Sequence, residues 1–173
     1  LGTLFLATQL VDVAWGVTIL LGWEQVRIHP GWTVVSPFQF VSYPITHSLL
    51  AAFLWAAAAA ITWYSWPTTD TSRHARPALI VGLAVASHWF LDAVVHIPDL
   101  PLAGDDSMKV GLGLWNSVPL TFTVELGLLG LGLALYLRGG SRKHEVRPVW
   151  AVGFALVLAA LYLVATLGPP PPS

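Results

Sequence analysis

The chain has 173 residues, 55% hydrophobic and 10% charged, with a mean hydropathy of +0.70. A soluble domain carries about a quarter charged residues, so the chain reads as an integral membrane protein. The 8 Lys and Arg against 9 Asp and Glu give a formal net charge of −1, which speaks against nucleic acid as a partner. Without cysteine there are no disulfides, thiolate metal sites or cysteine nucleophiles, and any metal must sit on nitrogen and oxygen.

The first hydrophobic span, residues 1–23, is interrupted by Thr8, Gln9 and Asp12. It lacks a basic leading region and a clear small-residue cleavage site, which argues against a removable signal peptide. Because the chain starts at Leu1, a short N-terminal piece is expected to precede it. Asp12 lies about 16 Å of helix from Trp23, close to mid-membrane. It shares a face with Thr8, Gly16 and Ile19, so its carboxylate is expected to look into the bundle. Residues 24–43 carry Glu24, Arg27, His29, Trp32, Phe38, Phe40 and Tyr43, punctuated by Pro30, Gly31 and Pro37, and read as an aromatic-rich interfacial loop. Glu24 and Arg27 are expected to form a surface pair, unless Glu24 joins a site at the mouth.

The second span, 44–66, opens on Pro44, which suits a first helical turn. His47 follows between Thr46 and Ser48, and the run Ala56 to Ala60 offers a smooth surface for close helix contact. After a polar loop with Arg73, His74 and Arg76 comes the third span, 77–97. Its Ala78, Gly82 and Ala86 repeat at four residues, which suits tight packing. Roughly opposite, His88, Asp92 and His96 form a stripe, because four residues turn about 400° and adjacent members lie about 6 Å apart. Ionisable groups held in hydrocarbon are costly, so such a stripe reads as a functional site facing other helices or a wet cavity.

Residues 98–113, with Asp99, Asp105, Asp106 and Lys109, form a loop in which the adjacent Asp105 and Asp106 read as a solvated turn. The fourth span, 114–137, carries Ser117, Thr121 and Glu125 at i+4 spacing, with Glu125 near mid-membrane. A basic loop, 138–147, precedes the fifth span, 148–167, which has no Asp, Glu, Lys, Arg or His and reads as a packing or lipid-facing helix. Pro169 to Pro172 form a polyproline spacer.

The expected fold is all-α: a single transmembrane domain, 1–173, built as a bundle of five transmembrane helices. Arg73, Arg76, Arg138, Arg142, Lys143 and Arg147 fall on one side and Arg27 and Lys109 on the other. By the positive-inside rule the N-terminus is cytoplasmic and the C-terminus outside, as in a multi-pass protein of the bacterial inner membrane. His96 then lies near the outer surface, Asp92 about a turn deeper, His47 level with one or the other, and His88, Asp12 and Glu125 near the midplane. Polar groups from four spans converge on the outer half.

That mix suits a divalent metal ion, zinc, manganese or iron, held by His47, His88 and Asp92 with Asp12 and His96 in support. Glu125 or Asp12 would accept a proton in a metal-dependent hydrolysis of a lipid or phosphoester met in the membrane. The spacing His-x3-Asp-x3-His is not the zinc-protease pattern. Two other readings stand beside this one. The polar groups can tie helices together in a non-catalytic subunit of a larger membrane complex or a homo-oligomer. They can also form a transporter or proton path through Asp12, His88 and Glu125, although no internal repeat supports it. Trp89 belongs to an interface belt or walls the cavity.

Tyr43-Pro44-Ile45-Thr46-His47-Ser48-Leu49-Leu50 and Ser87-His88-Trp89-Phe90-Leu91-Asp92 resemble elements of the LexA-regulated inner-membrane metal-dependent hydrolase family. Its members carry Thr-His-Ser-Leu and, a few tens of residues later, Ser-His-x-x-x-Asp inside hydrophobic helices. The resemblance covers roughly residues 10–100. It implies that His47, His88 and Asp92 are metal ligands, with Asp12 where the family has an early acidic residue. The family's additional His and Arg before the Thr-His-Ser element have no counterpart here. The chain is similar, too, to other multi-pass bacterial membrane proteins with Tyr-Pro, His-Ser and Ser-His-Trp elements.

Overall fold

The computed structural model describes residues 2–67, 75–141 and 148–169, and the described chain is mostly helical. Its elements are α1 (Gly2–Leu20), β1 (Gln25–Ile28), β2 (Phe38–Ser42), α2 (Pro44–His47), α3 (Leu49–Tyr64), α4 (Ala75–Val95), β3 (Leu100–Pro101), β4 (Lys109–Val110), a 3-10 turn (Leu114–Asn116), α5 (Val118–Ser141) and α6 (Pro148–Leu167). Among the described residues four helices, α1, α4, α5 and α6, are long and apolar enough to cross a membrane. They expose large apolar side chains, among them Val13, Leu83, Leu131 and Leu161. Water would penalise such surfaces, so they fit an integral membrane protein. Arg73, His74, Arg142, Lys143, His144 and Arg147, which carry most of the expected charge asymmetry or sit beside it, lie outside the described residues, as does the tail after Pro169.

The stretch 44–66, read as one span, is two helices, and α3 is apolar but only 16 residues long. Ser48 causes the break: its backbone is extended (φ −76°, ψ 155°). Its hydroxyl donates to the Pro44 carbonyl (2.7 Å) and accepts from the Ala51 N–H (3.0 Å). One side chain thus closes α2 and caps α3. The two connections read as loops also contain paired backbone. β1 pairs with β2, and β3 runs antiparallel to β4 with Leu100 opposite Val110 and Pro101 opposite Lys109.

The chain divides into two compact units: Leu1–Arg27 with Phe38–Leu114, and Ile28–Pro37 with Trp115–Ser173. In the first, α4 packs on both α1 and α3. A Cβ on Gly82 would lie 3.1 Å from the Ala56 carbonyl oxygen and 3.2 Å from the Ala60 Cβ. The small residues of α4 and the alanine run of α3 therefore meet, as their spacing predicts. Ala7, Val11, Ala56, Val81, Val85 and Ala86 form one core cluster, and Tyr43, Ala52, Trp89 and Leu100 a second. Trp89 is thus a core residue. The carbonyls at the end of α4 are taken up by the chain's return: Leu112 N–H donates to Ala93 (2.9 Å) and Gly113 N–H to His96 (2.6 Å). Gly111 makes this approach possible, because a Cβ there would collide with the Ile97 carbonyl. In the second unit α5 packs against α6, and Val35 N–H donates to the Trp115 carbonyl (3.0 Å).

Candidate metal centre

Three segments of the first unit bring four side chains together. Asp12 comes from the middle of α1, His47 is the last residue of α2, and His88 and Asp92 stand one turn apart on α4. Nε2 of His88 lies 3.4 Å from Asp12 Oδ1 and 3.2 Å from Asp92 Oδ2. Nε2 of His47 lies 3.4 Å and 3.8 Å from the same two oxygens. The two imidazoles meet edge to face, with centroids 5.5 Å apart. Donors of Asp12, His47 and His88 all fall within 4.8 Å of one another, a group able to hold a metal ion. Asp92 is not part of that mutually close trio, although its Oδ2 approaches both Nε2 atoms.

The imidazoles are oriented from behind. Nδ1 of His88 lies 3.0 Å from the Thr8 carbonyl oxygen on α1. A carbonyl only accepts, so Nδ1 carries the hydrogen, and in the neutral ring Nε2 presents its lone pair to the carboxylates. Nδ1 of His47 lies 2.8 Å from Thr46 Oγ1. The rings of Tyr43 and Trp15 flank His47 at 5.6 and 5.9 Å. His47 is 5% exposed, His88 12% and Asp92 16%, whereas Asp12 is 46% exposed. The site is closed by α2 and α4 and accessible at α1.

Two atoms test whether these residues suit a cation. His88 Nε2 and Asp92 Oδ2 are buried, and neither makes a hydrogen bond. They approach to 3.2 Å without the alignment a hydrogen bond needs. Buried polar atoms left this way are costly. A positive ion between them would satisfy both, and the donor set, imidazole with carboxylate, is one that zinc, manganese or iron accepts.

The stripe read from the sequence holds for its first two members. His96 is buried, but its Nδ1 lies 3.0 Å from Asp99 Oδ1, and it is not in the group that Asp12, His47 and His88 form. Helix α4 ends at Val95, with the His96 N–H still bonded to the Asp92 carbonyl (2.8 Å), and the His96 ring is taken up by Asp99. Tyr43 OH donates to the same Asp99 oxygen (3.2 Å). Burial first, and then the Asp99 carboxylate, hold the Tyr43 proton well above the ordinary phenol range. Glu125, expected as a proton acceptor, sits on α5 in the second unit, beside Tyr162 and Trp115. Asp105 accepts from the Ser42 hydroxyl at an exposed position (2.7 Å).

Glu24 departs from its expected surface pairing: it is 2% exposed. Its Oε1 accepts from the backbone N–H groups of Ile45 (2.8 Å) and Thr46 (3.0 Å). Its Oε2 accepts from the hydroxyls of Thr46 (2.7 Å) and Thr18. The reason is local. Helix α2 starts from Tyr43, whose side chain makes no capping bond, so the first N–H groups need an acceptor from elsewhere. The sequence signal that could have found it is a helix start without Ser, Thr, Asp or Asn directly before Pro44, which leaves N–H groups in need of an acceptor. No protein-family model, curated protein or solved structure matches the chain.

Proposed function

We propose that the chain is a membrane-embedded, metal-dependent hydrolase of the bacterial inner membrane that acts on a lipid-borne ester or phosphoester. The reading rests on one observation: the Nε2 atoms of His47 and His88 each stand 3.2 to 3.8 Å from carboxylate oxygens of Asp12 and Asp92, drawn from three helices. The family resemblance at Thr46-His47-Ser48 and Ser87-His88 supports the same assignment. In this reading α2 and α3 together make the second of five crossings, the N-terminus is cytoplasmic, the C-terminus is outside, and the site opens toward the outer leaflet.

His47, His88 and Asp92 hold the ion with Asp12. A zinc, manganese or iron ion bound there supplies Lewis-acid polarisation of a carbonyl or phosphoryl oxygen and a bound water of lowered pKa. The protein's own contribution is positional. Thr8 and Thr46 set the two rings, Asp92 is kept buried between them, and the apolar walls limit water. Of the two carboxylates expected to take up a proton, Asp12 stands in the donor group and has the more exposed side of the site, so it serves as proton acceptor. Substrates enter past Asp12 from the apolar phase around α1.

Metal analysis of purified wild type, His88→Ala and Asp92→Ala tests this directly, together with hydrolysis of lipid phosphoesters in detergent. Metal in the wild type and its loss in both variants is expected; equal, near-zero metal in all three ends the proposal. The same four contacts favour a second reading, in which charged His–Asp pairs tie α1, α2 and α4 together in a larger assembly. It predicts variants that lose assembly or stability with no metal bound by the wild type.

A further inference from the structure

We infer that Glu24 is a positioning residue that, through Thr46, decides which ring nitrogen of His47 faces the carboxylates. As a carboxylate, Glu24 can only accept, and it has four donors around it: two backbone N–H groups on Oε1 and two hydroxyls on Oε2. Thr46 has a single hydroxyl hydrogen, and that hydrogen is given to Glu24. Toward His47, 2.8 Å away, Oγ1 of Thr46 therefore has only lone pairs to offer. Nδ1 of His47 must then be the donor. In the neutral ring this leaves Nε2 without a hydrogen, aimed at Asp12 and Asp92.

The backbone makes the arrangement reversible by a single atom change. The N–H groups of Ile45 and Thr46 demand an acceptor on the Oε1 side. In Glu24→Gln the amide oxygen must therefore take that place, and the amide NH2 falls beside the hydroxyls of Thr46 and Thr18. The NH2 donates to Thr46 Oγ1, the Thr46 hydrogen turns to His47 Nδ1, and the ring hydrogen moves to Nε2. Polarity is inverted along the whole chain with almost no change of volume. An Nε2 that carries hydrogen is not a ligand. Glu24 touches neither the donor group nor a substrate, so its effect is exerted entirely through Thr46 and His47.

The consequence for metal affinity rests on the metal-centre reading; the ring state of His47 does not. The test uses the full-length protein in detergent, 15N-labelled at histidine, with His47 assigned by its substitution. In the wild type the His47 Nδ1 resonance should fall in the protonated range, and in Glu24→Gln in the unprotonated range. Cobalt(II) titrated as the probe, read by its visible absorption, should bind about 10- to 100-fold more weakly to Glu24→Gln, the span seen when outer-shell partners of a ligand are changed. Thr46→Val should weaken cobalt binding similarly, and Thr46→Ser, which keeps the hydroxyl, should restore it. An unchanged Nδ1 signal in a folded Glu24→Gln overturns the inference. If that variant does not fold, wild-type cobalt affinity and an unchanged Nδ1 signal in Thr46→Val overturn it instead. A wild type that takes up no cobalt while the ring state still inverts in Glu24→Gln supports the inference and removes the metal reading.

Discussion

Replacing His88 by alanine removes one of the two nitrogens at the centre of the group and with it two of the four His–Asp edges, those of 3.4 and 3.2 Å. Changing an outer-shell partner of a ligand costs about 10- to 100-fold in affinity, so deleting a ligand itself should cost at least about 100-fold. The assay is unfolding in detergent with and without zinc. At zinc one hundred times the wild-type Kd, binding stabilises the folded wild type by about 2.7 kcal/mol. A variant with a hundredfold weaker site gains only about 0.4 kcal/mol under the same conditions. His88→Ala also loses the bond to the Thr8 carbonyl and is less stable without metal. The zinc-induced increment, and not absolute stability, is therefore the quantity that discriminates. Equal increments in wild type and variant, or none in either, would refute the assignment of His88.

His96→Ala should keep the wild-type zinc increment, because its Nδ1 is engaged by Asp99; loss of the increment would return His96 to the ligand set. Gly82→Ala sets a methyl group against the Ala56 carbonyl and Ala60 Cβ, an overpacking cost of about 1–3 kcal/mol set against a helix-propensity gain of about 1 kcal/mol; a lowered unfolding midpoint is expected, and an unchanged or raised one counts against the close α3–α4 contact. Tyr43, whose folded-state pKa lies above its unfolded value near 10, contributes stability that is fully present below that pH and is lost as pH rises past it. Wild-type stability should thus fall more steeply above about pH 10 than that of Tyr43→Phe, and parallel profiles would contradict this. Because the chain has no cysteine, single cysteines report sidedness: Met108→Cys should react with an impermeant maleimide from outside, and Gly139→Cys only after permeabilisation. The opposite pattern reverses the proposed orientation.

Class and local packing were legible in the residues. Apolar runs of membrane length and few charges marked the four helices that are long and apolar enough to cross a membrane, and the four-residue repeat of Ala78, Gly82 and Ala86 marked a face for close packing, which meets Ala56 and Ala60. Asp12, His47, His88 and Asp92 were expected to meet because ionisable groups in apolar helices demand a reason, and the fold brings their side chains together. Those inferences use composition and helical period, which each segment carries alone. What needed the folded chain was everything set by where a helix stops or by who supplies a missing partner. Ser48 divides the second apolar stretch and leaves His47 at a helix end. Asp99, three residues on, takes up the His96 ring, so His96 does not extend the stripe. Glu24, whose chain neighbours suggested a surface ion pair, is drawn inside because the first N–H groups of α2 have no acceptor of their own. A period in sequence fixes direction only while the helix lasts, and hydrogen-bond demand is met by whatever the tertiary fold brings near.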